Sequence, residues 1–166
     1  MRRHDQEAID APLEHAQRLR GYCDSVKAMS GASEIVLRGD FSEDSGYRAG
    51  LAVCANRDRP DAIFAANDMM ALGCLFALTE HGVRVPDDIA LAGFDDIPIA
   101  RFVTPPLTTV RVRIAELGRR AFEELAKLID GDDVALATQE LACELVLRAS
   151  TGARTEAPVR DNADTS

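Results

Sequence analysis

Three short apolar runs alternate with stretches of helical period, and each run ends on polar or acidic residues. Glu34-Ile35-Val36-Leu37-Arg38 stops at Gly39-Asp40-Phe41. Asp61-Ala62-Ile63-Phe64-Ala65-Ala66 stops at Asn67-Asp68, and Ile89-Ala90-Leu91-Ala92-Gly93-Phe94 stops at Asp95-Asp96. Strands this short and this apolar suit a sheet covered on both faces. Helices alternating with them predict an α/β fold on a doubly wound parallel sheet.

The helical segments follow from period and capping chemistry. The first is predicted over Leu13 to Met29. A second starts at Asp40 or Ser42, with Tyr47, Leu51 and Cys54 on one face, and closes at Asn56 to Pro60. A third runs from Asn67-Asp68 to Glu80 with Gly82 as its stop, and a fourth from Ile114 to Ile129, ended by Asp130-Gly131-Asp132. Leu107 to Arg111 and Glu140 to Leu147 are expected strands, and the tail from Thr151 is expected to fray.

Composition narrows the function classes. At 166 residues the chain is long enough for one domain with a real core, and its 46% hydrophobic content excludes a disordered chain. A net charge of −9 argues against a free-standing nucleic-acid binder. The charged start Met1-Arg2-Arg3-His4 leads into no apolar run and no stretch has membrane-spanning length, so neither export nor membrane attachment is expected. Cys23, Cys54, Cys74 and Cys143 form no closely spaced pair, which suggests reduced thiols in the cytoplasm, and the histidines lack metal-ligand spacing. No metal and no cofactor are expected.

In parallel α/β sheets, ligands gather at the carboxyl ends of the strands. That rule singles out Phe41, Asn67, Asp68, Asp95 and Asp96. Carboxylates accept from two hydroxyls at once, and an amide both donates and accepts, so the set suits a small molecule rich in hydroxyls. Arg18, on the first helix, offers a planar two-pronged donor, and Phe41 an apolar face for a ring. Catalysis finds less support: no dinucleotide or phosphate loop, no zinc motif and no nucleophile elbow occurs. A phosphoacceptor receiver domain would place a lysine at a late strand end, whereas Lys27 and Lys127 fall on expected helices.

These same residues carry a resemblance. Pro60-Asp61-Ala62-Ile63-Phe64-Ala65-Ala66-Asn67-Asp68-Met69-Met70-Ala71-Leu72-Gly73, the stretch Gly82 to Asp96, and Pro105-Pro106-Leu107-Thr108-Thr109-Val110 are similar to the LacI/GalR family of bacterial transcription regulators. Arg18-Leu19-Arg20-Gly21-Tyr22, Gly39-Asp40-Phe41 and Ser45-Gly46-Tyr47 fit the same pattern, which runs from about residue 9 to residue 151. The resemblance implies a partial type I periplasmic-binding-protein-like effector domain, mainly its C-terminal subdomain. It implies effector contacts at Arg18, Phe41, Asn67 and Asp95, with Asp68 and Asp96 in support as helix cap and loop anchor. The effector class would be a sugar or a nucleobase-type metabolite.

The family's helix-turn-helix and most of its N-terminal subdomain have no counterpart in the sequence, so no operator binding by this chain alone is expected. Residues 1–112 and 139–150 correspond to the C-terminal subdomain, 113–138 to an excursion into the N-terminal one, and 151–166 to a flexible tail. The excursion helix carries Ile114, Leu117, Ala121, Phe122, Leu125 and Leu128 on one stripe. Covering its large side chains is worth roughly 1.5–3 kcal/mol each, so it is expected to dock elsewhere, to meet a second copy, or to be mobile. The helix after Asn67 is apolar nearly all round, and the family pairs subunits through it. The resemblance therefore implies a homodimer through Met69, Leu72, Leu75, Phe76 and Ile99. Two rival readings are a soluble periplasmic-type sugar-binding protein and a truncated fragment without activity, since half a cleft binds poorly.

Overall fold

The computed structural model describes residues 13–130 and 140–153. In chain order it holds α1 (Leu13–Ala28), α2 (Glu43–Ala55), β1 (Ala62–Phe64), α3 (Asp68–Glu80), β2 (Ala90–Ala92), a 3-10 turn (Pro98–Arg101), β3 (Thr109–Arg111), α4 (Ile114–Ile129), β4 (Glu144–Val146) and a second 3-10 turn (Ala149–Thr151). The mixed helix and parallel-sheet fold expected from the alternation is present. The last part of the expected tail, from residue 154, and residues 131–138 of the excursion lie outside the described residues.

β1 and β2 pair in parallel, with Ile63 opposite Leu91. β2 continues onto β3 through Gly93 N–H to Thr108 O and Asp95 N–H to Val110 O, both at 2.9 Å. β3 then pairs antiparallel with β4, placing Val110 opposite Leu145. Ser150 bolts the returning chain to this sheet. Its hydroxyl donates to Leu91 O at 2.6 Å and accepts from Thr108 N–H at 2.8 Å, in a fully buried position.

The core lies between the sheet and α3, where Leu78, Ile89, Leu91 and Leu107 are fully buried. α2 packs on α3 through glycines rather than large side chains. A Cβ on Gly46 would strike the backbone of Met70, and one on Gly73 the backbone of Glu43, so the two helices touch backbone to backbone. The buried residues of α2 are accordingly Ser45, Gly46, Gly50 and Val53. The expected face of Tyr47, Leu51 and Cys54 is only half-buried, because contact this close admits nothing larger than serine or valine.

Three further expectations are corrected. Residues 34–38 form no strand, and Ile35 and Leu37 stay 45% and 46% exposed. An apolar run specifies a preference for burial but supplies no ladder partner. β4 is three residues long rather than the eight from Glu140 to Leu147. Leu75 is buried in this chain's own core, so it is not available to a second copy. On a helix, residues 71, 75 and 78 share one face, and that face meets the sheet. Met69, Leu72 and Phe76 lie outside it, with Phe76 62% exposed.

α4 coincides with the helix expected from the sequence, and none of its residues is buried. Its stripe is bare: Ile114, Phe122 and Leu125 are 66%, 70% and 52% exposed. Surface ion pairs such as Arg119 with Glu116 and Glu123 hold its polar side.

Candidate effector site

The site is built on the segments that follow β1 and β2. Asn67 is the N-cap of α3. Its Oδ1 accepts from Met70 N–H at 2.9 Å, which satisfies one of the free donors of the helix end. Its Nδ2 donates to the carbonyl of Phe41 at 3.0 Å. Phe41 has a left-handed φ of 67°, so this bond fixes a turn that a side chain with a Cβ adopts reluctantly. Asn67 thereby joins two of the four residues singled out from the sequence. One amide hydrogen and one lone pair remain on it for another molecule.

Asp68 does not cap the helix. It is the first residue of α3, its side chain is fully buried, and it reaches across to the next strand end. Thr109 donates its hydroxyl to Oδ1 at 2.6 Å, and Ile97 N–H donates to Oδ2 at 2.9 Å. The capping role expected of Asp68 thus falls to Asn67. Asn67 lies three residues before Met70, the spacing a capping oxygen needs, and Asp68 lies one residue too late. Burial raises the Asp68 carboxyl above the usual range, partly offset by the bonds from Thr109 and Ile97.

Asp95 and Asp96 turn the chain sharply after β2, with φ of 113° and 54°. The Asp95 carboxyl is raised, first by burial and then by the nearby charge of Asp68, with Arg18 partly offsetting both. Arg18 from α1 stacks its guanidinium 4.5 Å above the ring centroid of Phe94, a cation–π contact. Its Nε is buried and, among the described residues, has no hydrogen-bond partner. A buried donor left unpaired costs roughly 1–3 kcal/mol. It therefore marks a place where an acceptor belongs. The backbone bond from Asp68 N–H to Phe94 O, 2.8 Å, ties the Asn67–Phe41 pair to the Arg18–Asp95 pair.

The Asp96 carboxylate is held by two arginines that the sequence did not reveal. Arg148 donates to its Oδ1 at 2.7 Å and Arg111 to its Oδ2 at 2.6 Å. Burial raises this carboxyl, but the two arginine bonds outweigh burial and hold it below the usual range. Sequence reasoning also missed Phe94 and Thr109. Phe94 had a signal, since it is the aromatic that ends a strand beside Asp95. Arg148 had none, lying 52 residues from its partner. A separate groove of about 410 Å³ lies between α2 and α3 and is lined by Glu43, Asp44, Tyr47, Leu72, Gly73 and Phe76, none of them a rim residue.

Comparison with known proteins agrees with this fold. Residues 9–151 match the periplasmic binding protein-like domain. The repressor PurR of Mannheimia succiniciproducens is 42% identical over 139 residues, covering 81% of this chain and 41% of that protein. Among solved structures, a LacI-family regulator from Sanguibacter keddieii superposes with a TM-score of 0.76 at 36% identity, over 83% of this chain and 53% of that one. The lac repressor dimer bound to operator and the anti-inducer ONPF gives a TM-score of 0.74 at 34% identity, over 82% of this chain and 42% of that one. The chain thus spans about two-fifths of the curated relative it matches. It belongs to the periplasmic binding protein-like domain family.

Proposed function

We propose that the chain is the metabolite-sensing part of a LacI-type transcription regulator, a cytoplasmic binding module and not an enzyme. The observation that carries this reading is the unpartnered Nε of Arg18, buried beside Phe94 and within electrostatic reach of Asp95. A ligand hydroxyl placed there accepts from Arg18 and donates to Asp95, and a heterocycle would do the same with an acceptor ring nitrogen and a neighbouring N–H. Asn67 supplies one further donor and acceptor, and Phe41, held by Asn67, offers a face for a sugar or base ring. Arg18, Phe41, Asn67 and Asp95 are then the effector contacts. Asp68 and Asp96 set the backbone beneath them. The similarity to a repressor dimer solved with a small-molecule anti-inducer supports the same class of ligand.

The test is thermal stabilisation. The chain is screened against monosaccharides, disaccharides, nucleosides and free nucleobases. A true effector at 100 times its Kd raises stability by about 2.7 kcal/mol. Arg18→Met and Asp95→Asn should each abolish the shift. A hit that survives both substitutions binds elsewhere and overturns the assignment of the rim.

The same reading includes a homodimer. Met69, Leu72, Phe76 and Ile99 form its core, with Leu75 excluded because it lies inside the fold. Phe76, Ile99 and Phe102 are 62%, 47% and 68% exposed, and the α2–α3 groove runs beside Phe76.

A further inference from the structure

The turn at Asp95 and Asp96 places two consecutive residues with a Cβ at positive φ. Such backbone persists only where its surroundings over-determine it. Part of that constraint comes from Asp68, which takes the Ile97 N–H, and part from Thr109, whose hydroxyl accepts from Asp96 N–H at 3.3 Å. The rest comes through the Asp96 side chain. Arg111 is the last residue of β3, just before the chain leaves for α4. Arg148 follows β4, just after the chain has returned. Each takes one oxygen of the same carboxylate. Arg148 and Asp96 are 13% and 10% exposed at the side chain, and Arg148 also donates to Leu107 O at 2.8 Å. The pair is therefore shielded and cross-braced, unlike the ion pairs of α4.

We propose that Arg148 is a positioning residue for the effector rim: with Arg111 it grips Asp96, and so holds Asp95 in its ligand-facing conformation without touching the ligand. The rim's shape then depends on both chain crossings that flank residues 112–143. A shift of either crossing moves one arginine, and with it the carboxylate next to Asp95. The proposal builds on the effector-rim reading above.

Amide hydrogen exchange on the unliganded chain tests it, with Arg148→Lys and Asp96→Asn compared to the parent. Lysine keeps the charge but loses the second prong to Leu107, and asparagine keeps the shape but loses the charge-assisted bonds. The amides of Asp95, Asp96 and Ile97 should exchange roughly tenfold faster or more in both variants, with those of Leu78 and Leu91 unchanged. The three-bond HN–Hα coupling of Asp95 should move toward its extended-chain value. Unchanged rim amides overturn the proposal. Uniform acceleration across the core overturns it as well, because Arg148 would then be a general structural residue. A second arm measures thermal shifts with D-galactose and adenine as probes. A probe that stabilises the parent should stabilise Asp96→Asn less. If neither probe stabilises the parent, the effector reading fails for those two ligands while the exchange experiment still decides the positioning role.

Discussion

Thr109 donates its hydroxyl proton to Asp68 across 2.6 Å, with both side chains fully buried. The same oxygen accepts from the backbone of Asp96, so one hydroxyl connects the start of α3, the third strand and the rim turn. Thr109→Val keeps the volume and removes both bonds. Asp68 would then keep a buried oxygen without its donor, and the expected loss is about 1–3 kcal/mol of stability in urea unfolding. Thr109→Ser should recover most of it. Equal losses for valine and serine would show that the methyl group, and not the hydroxyl, is what matters.

The carboxyls of the rim predict a signed dependence on pH. Asp95 lies above the usual range because of burial and the charge of Asp68. Between an ordinary Asp value of about 3.9 and that raised value, the native chain binds more protons than the unfolded one. The stability Asp95 contributes is therefore fully present below the unfolded value and is lost as pH rises through the folded one. Asp96 works the other way: its lowered carboxyl contributes stability above the usual value that is lost as pH falls through the folded one. Asp95→Asn removes only the first contribution. The stability advantage of Asp95→Asn over the parent should shrink as pH falls from neutral toward about 4. Parallel curves over that range refute the assignment.

Much of this fold was legible from sequence where the signal is local. Ser42 and Asn67 are side-chain caps, and α4 spans the residues that its stripe marked out. What escaped is what depends on distant partners. Gly46, Gly50 and Gly73 carry no hydropathic pattern, yet they decide which face of α2 is buried. Asn67 and Asp68 are chemically alike in sequence, and only the position of Met70 N–H on one side and of Thr109 on the other separates cap from anchor. At the rim, the strand-end rule picked out both Asn67 and Phe41, although no strand precedes Phe41; it was silent on Phe94 and Arg148, whose roles come from packing between segments far apart in the chain.

The exposed strip of α3 predicts how copies associate. Phe76 stacks against Tyr47 with ring centroids 5.8 Å apart, and the Tyr47 hydroxyl donates to Glu80 at 2.7 Å, so the aromatic pair is held in place before any partner arrives. Preorganised aromatic side chains at the centre of an interface carry most of its energy, and truncating one typically costs about 2 kcal/mol or more. Phe76→Ser should weaken self-association about thirtyfold in sedimentation velocity, with Ile99→Ser adding to it. Because both side chains are exposed in the single chain, neither change should lower the urea midpoint of the dilute protein. A parent that remains monomeric at high concentration removes the dimer from the proposed function.

α4 gives the sharpest contrast between buried and bare apolar surface. Leu125 is 52% exposed and Leu91 is fully buried. If the fold of this chain alone holds α4 as described, Leu125→Ser should stay within about 0.5 kcal/mol of the parent, like other exposed sites, whereas Leu91→Ala should cost about 2–5 kcal/mol. Among the described residues, trypsin should cut at Arg119, Arg120 or Lys127 before it cuts at Arg48 in the packed helix α2. Should Leu125→Ser instead cost as much as a core truncation, and should α4 resist trypsin only at high protein concentration, the stripe is covered by a second copy. Resistance at every concentration would mean that the helix docks on its own chain, against its present exposure.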